Sequence, residues 1–415
     1  MGETTTPLID RIIGICLIIY TFPFAIFRGG VFGGELTDLY TNYNLECKSA
    51  ILGTIGLRYS LRTSRSRNLL HVASLLALIY LLDVYIPKPL PVPTKGHESK
   101  TIVITGANSG VGYETARQLA VDYGMNVVMG CRSELKCDKA TSTIMEEVSA
   151  AKSNGVVTFG IIDIADLDSV KTFVSSYLEG KQVDFLFNNA GYAPAEKVPV
   201  NKYGLDTAFS EMHLAHFYLT ELLLKENPKM RVINTSSISH NVCAMGWMMP
   251  STSAIKNHPG CLDEEYLQSG IRSETDDAAY MQAKMANMMH SVEIPHHHPQ
   301  ATAAAIELGF VGTSILPIMT MKVSPESLLL MRGARVGVQP ILHAILSSDD
   351  ELMGPTNGKK GVMMTVFGQS AEAFTTHGWF KGDVSKERMD VLSDKLWQES
   401  VKILQELGYL DTNEE

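Results

Sequence analysis

Tyr280 and Lys284 stand four apart in the stretch Tyr280-Met281-Gln282-Ala283-Lys284. That spacing puts both side chains on one face of a helix. An ammonium beside a phenol favours the phenolate and draws the tyrosine down from its ordinary pKa of about 10. A tyrosine so tuned can give a proton to a carbonyl oxygen or take one from an alcohol. Alone the pair is a weak signal, since a half-buried tyrosine beside a surface lysine has the same spelling. The segments that would surround it decide between the two.

Upstream lies a glycine-rich segment, Thr105 to Gly112, reading TGANSGVG. Gly106, Gly110 and Gly112 let a turn tighten and let backbone approach a pyrophosphate, whose charge a helix N-terminus favours. Asn108, Ser109 and Val111 fill the same turn and share the expected cofactor contact. The spacing is G-x-x-x-G-x-G rather than the dinucleotide fingerprint G-x-G-x-x-G. A second strand ends in Gly130-Cys131-Arg132-Ser133. An acid there would bind the ribose hydroxyls of NAD, whereas Arg132 offers a cation to a 2′-phosphate and points to NADP(H). Asp163, with Ile164 after it, closes a third strand where an adenine would lie. Asn188-Asn189-Ala190-Gly191 closes a fourth. Ligands of open α/β sheets bind outside the carboxyl ends of the strands, which makes Asn189, Ala190 and Gly191 cofactor candidates.

The elements that must position these groups alternate. Apolar runs at 101–105, 126–131, 156–163, 183–188, 231–236 and 302–308 read as buried strands, with helical segments between them. A last strand is expected at 360–368 and an amphipathic helix near 386–407. Such βα alternation implies an α/β fold, a Rossmann-type doubly wound parallel sheet with helices on both faces.

Residues 1–95 read differently, as a membrane anchor preceding a catalytic domain at 96–415. Ile12 to Phe27 is nearly uncharged but contains Pro23; Leu69 to Ile86 is an 18-residue run broken only by His71, Ser74 and Asp83. One or two transmembrane segments are therefore expected, and Pro87 to Pro93 follows as a stiff extended linker. Arg58, Arg62, Arg65 and Arg67 crowd one flank of the second run. The positive-inside rule then puts that loop in the cytosol and the catalytic domain across the membrane, with a re-entrant first segment left open. The expected location is the membrane of the endoplasmic reticulum or a related organelle, the side of the domain being open. The net charge, 35 − 45 = −10, argues against a nucleic-acid partner. Six cysteines form no C-x-x-C pair, so neither a disulfide framework nor a cysteine metal site is expected. Asn234-Thr235-Ser236 is formally a glycosylation sequon but falls in an expected buried strand.

Taken in order, TGANSGVG, NNAG, the pair Ser236-Ser237 and YMQAK resemble the short-chain dehydrogenase/reductase superfamily over roughly Ser99 to Leu410. ANSGVGYETA, GCRS, INTSSISH and AKMAN are most similar to its retinol-dehydrogenase-like branch, which includes membrane-anchored reductases of lipophilic carbonyls. The resemblance implies that Tyr280 is the catalytic acid/base. It also implies that Lys284 lowers the pKa of Tyr280 and binds the nicotinamide ribose, and that Ser237 bonds the substrate oxygen. Thr313 would hold the nicotinamide amide. Ser236 is the adjacent alternative to Ser237, expected to point into the sheet. The implied activity is hydride transfer between NADP(H) and a lipophilic aldehyde, ketone or alcohol of retinoid, steroid or isoprenoid type. Homodimers through the helices after the fourth and fifth strands are common in the superfamily, though an anchor could block them.

Three positions depart from the family pattern. Met212 stands where a fourth catalytic member, an asparagine, helps hold a water; Leu308-Gly309 replaces proline-glycine; and Ala283 replaces a frequent serine. These departures leave an alternative, a catalytically impaired nucleotide-binding or scaffold protein of the same fold. Met245, Trp247, Met248 and Met249, and then Leu316, Ile318, Met319 and Met321, fall where the family builds its substrate pocket, and methionines suit a deformable site. His296-His297-His298 with His290 is read as a solvated turn near a helix end without a carboxylate partner, so no metal is expected.

Overall fold

The computed structural model describes residues 96–192, 199–237, 264–274, 279–308, 311, 334–349, 352, 362–364, 370–372 and 386–411. Both candidate membrane segments, the proline-rich linker, both methionine clusters and Thr313 lie outside the described residues. Among the described residues no helix is long and apolar enough to cross a membrane. By its contacts the chain divides into two compact units, Met1–Leu90 with Phe310–Gln339 and Pro91–Gly309 with Pro340–Glu415. The side-chain geometry described below lies in the second.

The second unit is built as β1 (Thr101–Thr105), α1 (Gly110–Val121), β2 (Asn126–Cys131), α2 (Glu134–Ala151), β3 (Val156–Ile161), α3 (Leu167–Phe173) and β4 (Phe185–Asn188). A short helical entry, Thr207–Phe209, runs through a π turn at Ser210–Leu214 into α4 (Ala215–Glu226). Then come β5 (Arg231–Thr235), α5 (Ala279–His297), β6 (Thr302–Ile306), β7 (Val362–Met364), β8 (Ser370–Glu372) and α6 (Lys386–Glu406). The sheet order is β3-β2-β1-β4-β5-β6-β7-β8. All pairs through β7 are parallel, and β8 adds an antiparallel edge that the sequence reading did not anticipate. Ile102, Val103 and Ile104 of β1 have no exposed surface, as expected where helices cover both faces.

Strands β3, β4, β5 and β6 are shorter than expected. The N–H of Val183, ahead of β4, donates to Asn227 Oδ1 at 2.9 Å. Beyond β3, Asp163 turns the chain by accepting from the Ala165 N–H through Oδ1 at 3.1 Å. Beyond β5, the Ser236 N–H still reaches Ile306 O at 2.8 Å, one residue past the end of the strand.

Two further expectations are corrected. Cys131 and Cys137 are joined as a disulfide. The end of β2 and the first turn of α2 fold back on each other, a closeness that cysteine spacing alone does not encode. The histidine run is not a turn: α5 continues through Pro295 to His297. It also has carboxylate partners, with His296 Nδ1 3.1 Å from Glu293 and His298 Nε2 3.0 Å from Glu221. Pro295 sits inside the helix without ending it.

Candidate active site

The strand order reverses between β1 and β4, and the crevice at that switch point is where open α/β sheets hold ligands. The turn after β1 and the turn after β4 meet there and are laced together. Thr105 Oγ accepts the N–H groups of both Asn189 and Ala190 at 2.9 Å, and Asn189 Nδ2 donates to Thr105 O at 2.8 Å. Gly106 and Gly110 take φ values of +65° and +58°, where a side chain would be strained. Gly112 has no room for one: a Cβ would stand 2.6 Å from both Asn189 Nδ2 and Gly106 O. The glycines thus let the two turns close on each other. Behind them α1 starts at Gly110, with Ser109 making no side-chain cap bond and no acid in the first turn. Such a helix start, beside a cradle that any Cβ would fill, fits a pyrophosphate.

That packing carries a prediction. Gly112→Ala should destabilise the protein by about 1–3 kcal/mol, the usual cost of overpacking, and weaken dinucleotide binding. Thermal melts and a fluorescence titration check it, and wild-type values for both would sink the cradle argument.

The remaining cofactor candidates sit around the same edge. Arg132 follows β2 and is exposed; Asp163 and Ile164 follow β3, with Ile164 packed on the main core. Gly191 follows β4, and a Cβ there would lie 3.5 Å from Lys284 Nζ. The nucleotide turns and Lys284 therefore share one crevice.

The catalytic candidates converge from two elements. Ser236 and Ser237 leave the carboxyl end of β5, and Tyr280 and Lys284 lie on the first turns of α5. Ser236 is buried and donates to Lys284 O at 2.9 Å, so it anchors the helix and leaves Ser237 to the site. Tyr280 shares a side-chain hydrogen bond with Ser237. Lys284 Nζ is 5.5 Å from the Tyr280 ring centre and donates to Thr235 O at 3.2 Å. Only 3 % of Lys284 is exposed, and burial lowers its pKa to about 8. Tyr280 departs from the sequence expectation. Burial raises its pKa, and the bond to Ser237 offsets this only in part. Desolvation of the phenolate sets the direction of the shift.

Met212 is fully buried within the π turn, a feature that concentrates at functional sites. It packs with Ala208, Ala279 and Ala283 beneath Tyr280 and Tyr192. Its carbonyl, the group that could stand in for a missing amide, accepts from His216 Nδ1 at 3.1 Å. The tautomer follows from counting donors. Thr105 Oγ already accepts two N–H groups, so its own proton goes to His216 Nε2 at 2.9 Å, and His216 carries its proton on Nδ1. Burial lowers the His216 pKa to about 4, which keeps that neutral form. Thr105 and His216 thereby tie the nucleotide turn to the π turn beside Lys284. Sequence reading singled out neither residue for this, although the i,i+4 spacing of Met212 and His216 was there to be used. Asn287, also unforeseen, supports Lys284 by donating to Thr235 O at 3.0 Å.

A short chain dehydrogenase family profile matches residues 100–293. Retinol dehydrogenase 12 of Mus musculus is 34% identical over 274 residues, 63% of this chain and 76% of its own length. Retinol dehydrogenase 13 of Homo sapiens is 29% identical over 266 residues, 60% of this chain and 73% of its own. Among solved structures, an uncharacterised protein from Mycobacterium paratuberculosis superposes with a TM-score of 0.52 at 25% identity, covering 75% of this chain and 96% of that one.

Proposed function

Because the chain belongs to the short-chain dehydrogenase family, on its retinol-dehydrogenase-like side, we propose that it is a membrane-anchored NADP(H)-dependent oxidoreductase of lipophilic carbonyls and alcohols. The observation that carries this reading is the Ser237–Tyr280 hydrogen bond beside buried Lys284, at the edge where the nucleotide turns meet. The cofactor, when bound, supplies or accepts the hydride. Gly106, Asn108, Ser109, Gly110, Val111 and Gly112 would line its pyrophosphate. Asp163 and Ile164 would lie at its adenine, and Asn189, Ala190 and Gly191 at its inner ribose. Thr313 is assigned to the nicotinamide amide from the sequence alone.

The chain's own groups account for the proton. Tyr280, kept protonated by burial, donates its phenolic proton to the substrate oxygen in reduction and recovers it in oxidation. Ser237 holds that oxygen and, through its bond to Tyr280, steadies the phenol. Lys284 sits where it can stabilise the transient phenolate and bond a ribose hydroxyl. With a pKa near 8 it can itself take up and release a proton near neutral pH.

Arg132 carries the cofactor preference. Charge-assisted hydrogen bonds contribute roughly 1.5–3 kcal/mol, so Arg132→Ala should lower the preference for NADPH over NADH by roughly 10- to 100-fold. Steady-state kinetics with both cofactors decide the point, and an unchanged ratio would remove Arg132 from the site.

The apolar run at 69–86 and the linker after it support anchoring, and a substrate dissolved in the bilayer suits the methionines at 245–249 and 316–321. The helices after β4 and β5 already carry α6 of the same chain, with Phe217 and Trp397 ring centres 4.7 Å apart. A homodimer would therefore use another face. The test of the whole reading is NADPH oxidation by the full-length protein in vesicles, against a panel of hydrophobic aldehydes and ketones. Tight NADPH binding with no turnover on any of them would favour the impaired nucleotide-binding protein instead.

A further inference from the structure

Away from the nucleotide crevice, the C-terminal end of α5 meets α6. Glu293 and His297, four apart, project from one face of α5. Asp394 approaches them from α6, about a hundred residues later in the chain. One donor atom from each of the three lies within 4.8 Å of the others. His297 Nε2 is 3.8 Å from Glu293 Oε2. Donors around a tetrahedral zinc, bound at about 2.0–2.1 Å, stand roughly 3.3 Å apart. The three side chains are thus a small rotamer adjustment from coordinating one ion.

Their surroundings hold them in place. The His297 ring stacks on Trp397 of α6, with ring centres 4.1 Å apart and planes tilted by 2°. His296 Nδ1 holds Glu293 Oε2 at 3.1 Å, and Gln398 Nε2 holds Asp394 Oδ2 at 2.8 Å. Such outer contacts orient ligands in metal sites generally. The Glu293 side chain is only 5 % exposed although Asp390 and Asp394 both act on it, a concentration of negative charge that a cation would relieve.

We propose that Glu293, His297 and Asp394 form a site for one borderline divalent transition-metal ion of the zinc class, which ties the end of α5 to the C-terminal helix α6. One imidazole and two carboxylates suit zinc, cobalt(II) or nickel(II) better than calcium or magnesium, which prefer all-oxygen sets. The ion is structural: it binds only where α5 and α6 are docked, so it stabilises the folded chain in proportion to its concentration.

The test uses full-length protein without a polyhistidine tag, stripped with a chelator and titrated with zinc or cobalt(II) by calorimetry. One-to-one binding is expected, with a rise in melting temperature and cobalt absorption in the visible. His297→Phe keeps the ring stacked on Trp397 and removes the ligand, and Asp394→Asn removes the ligand from the other helix. Each should weaken binding roughly tenfold or more. His298→Ala should bind as wild type, because His298 is turned to Glu221. Absence of saturable one-to-one binding would overturn the site. So would an affinity that survives both ligand substitutions, which would mark the histidine run as an adventitious chelator.

Discussion

Tyr280→Phe should lower kcat by about 10²–10⁴-fold, the usual worth of a positioned general acid or base, with NADPH affinity unchanged. The substitution deletes one oxygen. The ring stays packed on the Met212, Ala279 and Ala283 cluster, so the site keeps its shape. Ser237 loses a partner but stays at the strand end, where water can replace the phenol. Because burial keeps Tyr280 protonated, the wild type should reduce its substrates without losing the acid form across the neutral range, and the variant should have no acid to lose. Single-turnover kinetics with NADPH, beside an independent binding titration, separate chemistry from affinity. Turnover near the wild-type level would remove Tyr280 from the acid role whatever the family.

The residues behind this prediction were legible in different degrees. Gly106, Gly112, Ser237, Tyr280 and Lys284 could be found because each sits at a strand end or on one helix face, and strand and helix periods are written into the chain. The short strands β1 and β2 were readable to the residue because each is an apolar run bounded by polar residues, TIVIT and NVVMGC. What could not be read is what depends on closeness between distant segments. Thr105 and His216 are 111 apart, and nothing in either neighbourhood announces that one proton will settle the tautomer of the other. The Cys131–Cys137 bridge and the approach of Asp394 to His297 are of the same kind. The Tyr280 environment shows a different limit. Spacing correctly placed Lys284 on its face, but the sign of the pKa change is set by burial, a property of the surrounding core rather than of the pair.

Lys284→Met should abolish useful turnover and make the cofactor-free protein more stable. Lys284 is almost wholly buried, and burial brings its pKa from the ordinary 10.5 down to about 8. The unfolded chain therefore binds a proton that the folded chain gives up between those values. Below pH 8 the folded state carries the full cost of the buried charge, on the order of 3 kcal/mol. As pH rises from 8 towards 10.5 that cost is relieved, so this residue makes the protein more stable with rising pH across that window. Methionine keeps the apolar stem and removes the charge. Methionine gives up the bond to Thr235 O, and that carbonyl still accepts from Asn287 Nδ2. Melts at pH 7 should show the variant above the wild type, by roughly 2–4 °C for each kcal/mol recovered, and the gap should close as pH approaches 10. A less stable variant, or a gap independent of pH, would mean that Lys284 is paid for by contacts in the folded protein. The predicted gain is what identifies the lysine as kept for chemistry, since a side chain that weakens the fold has no structural reason to be there.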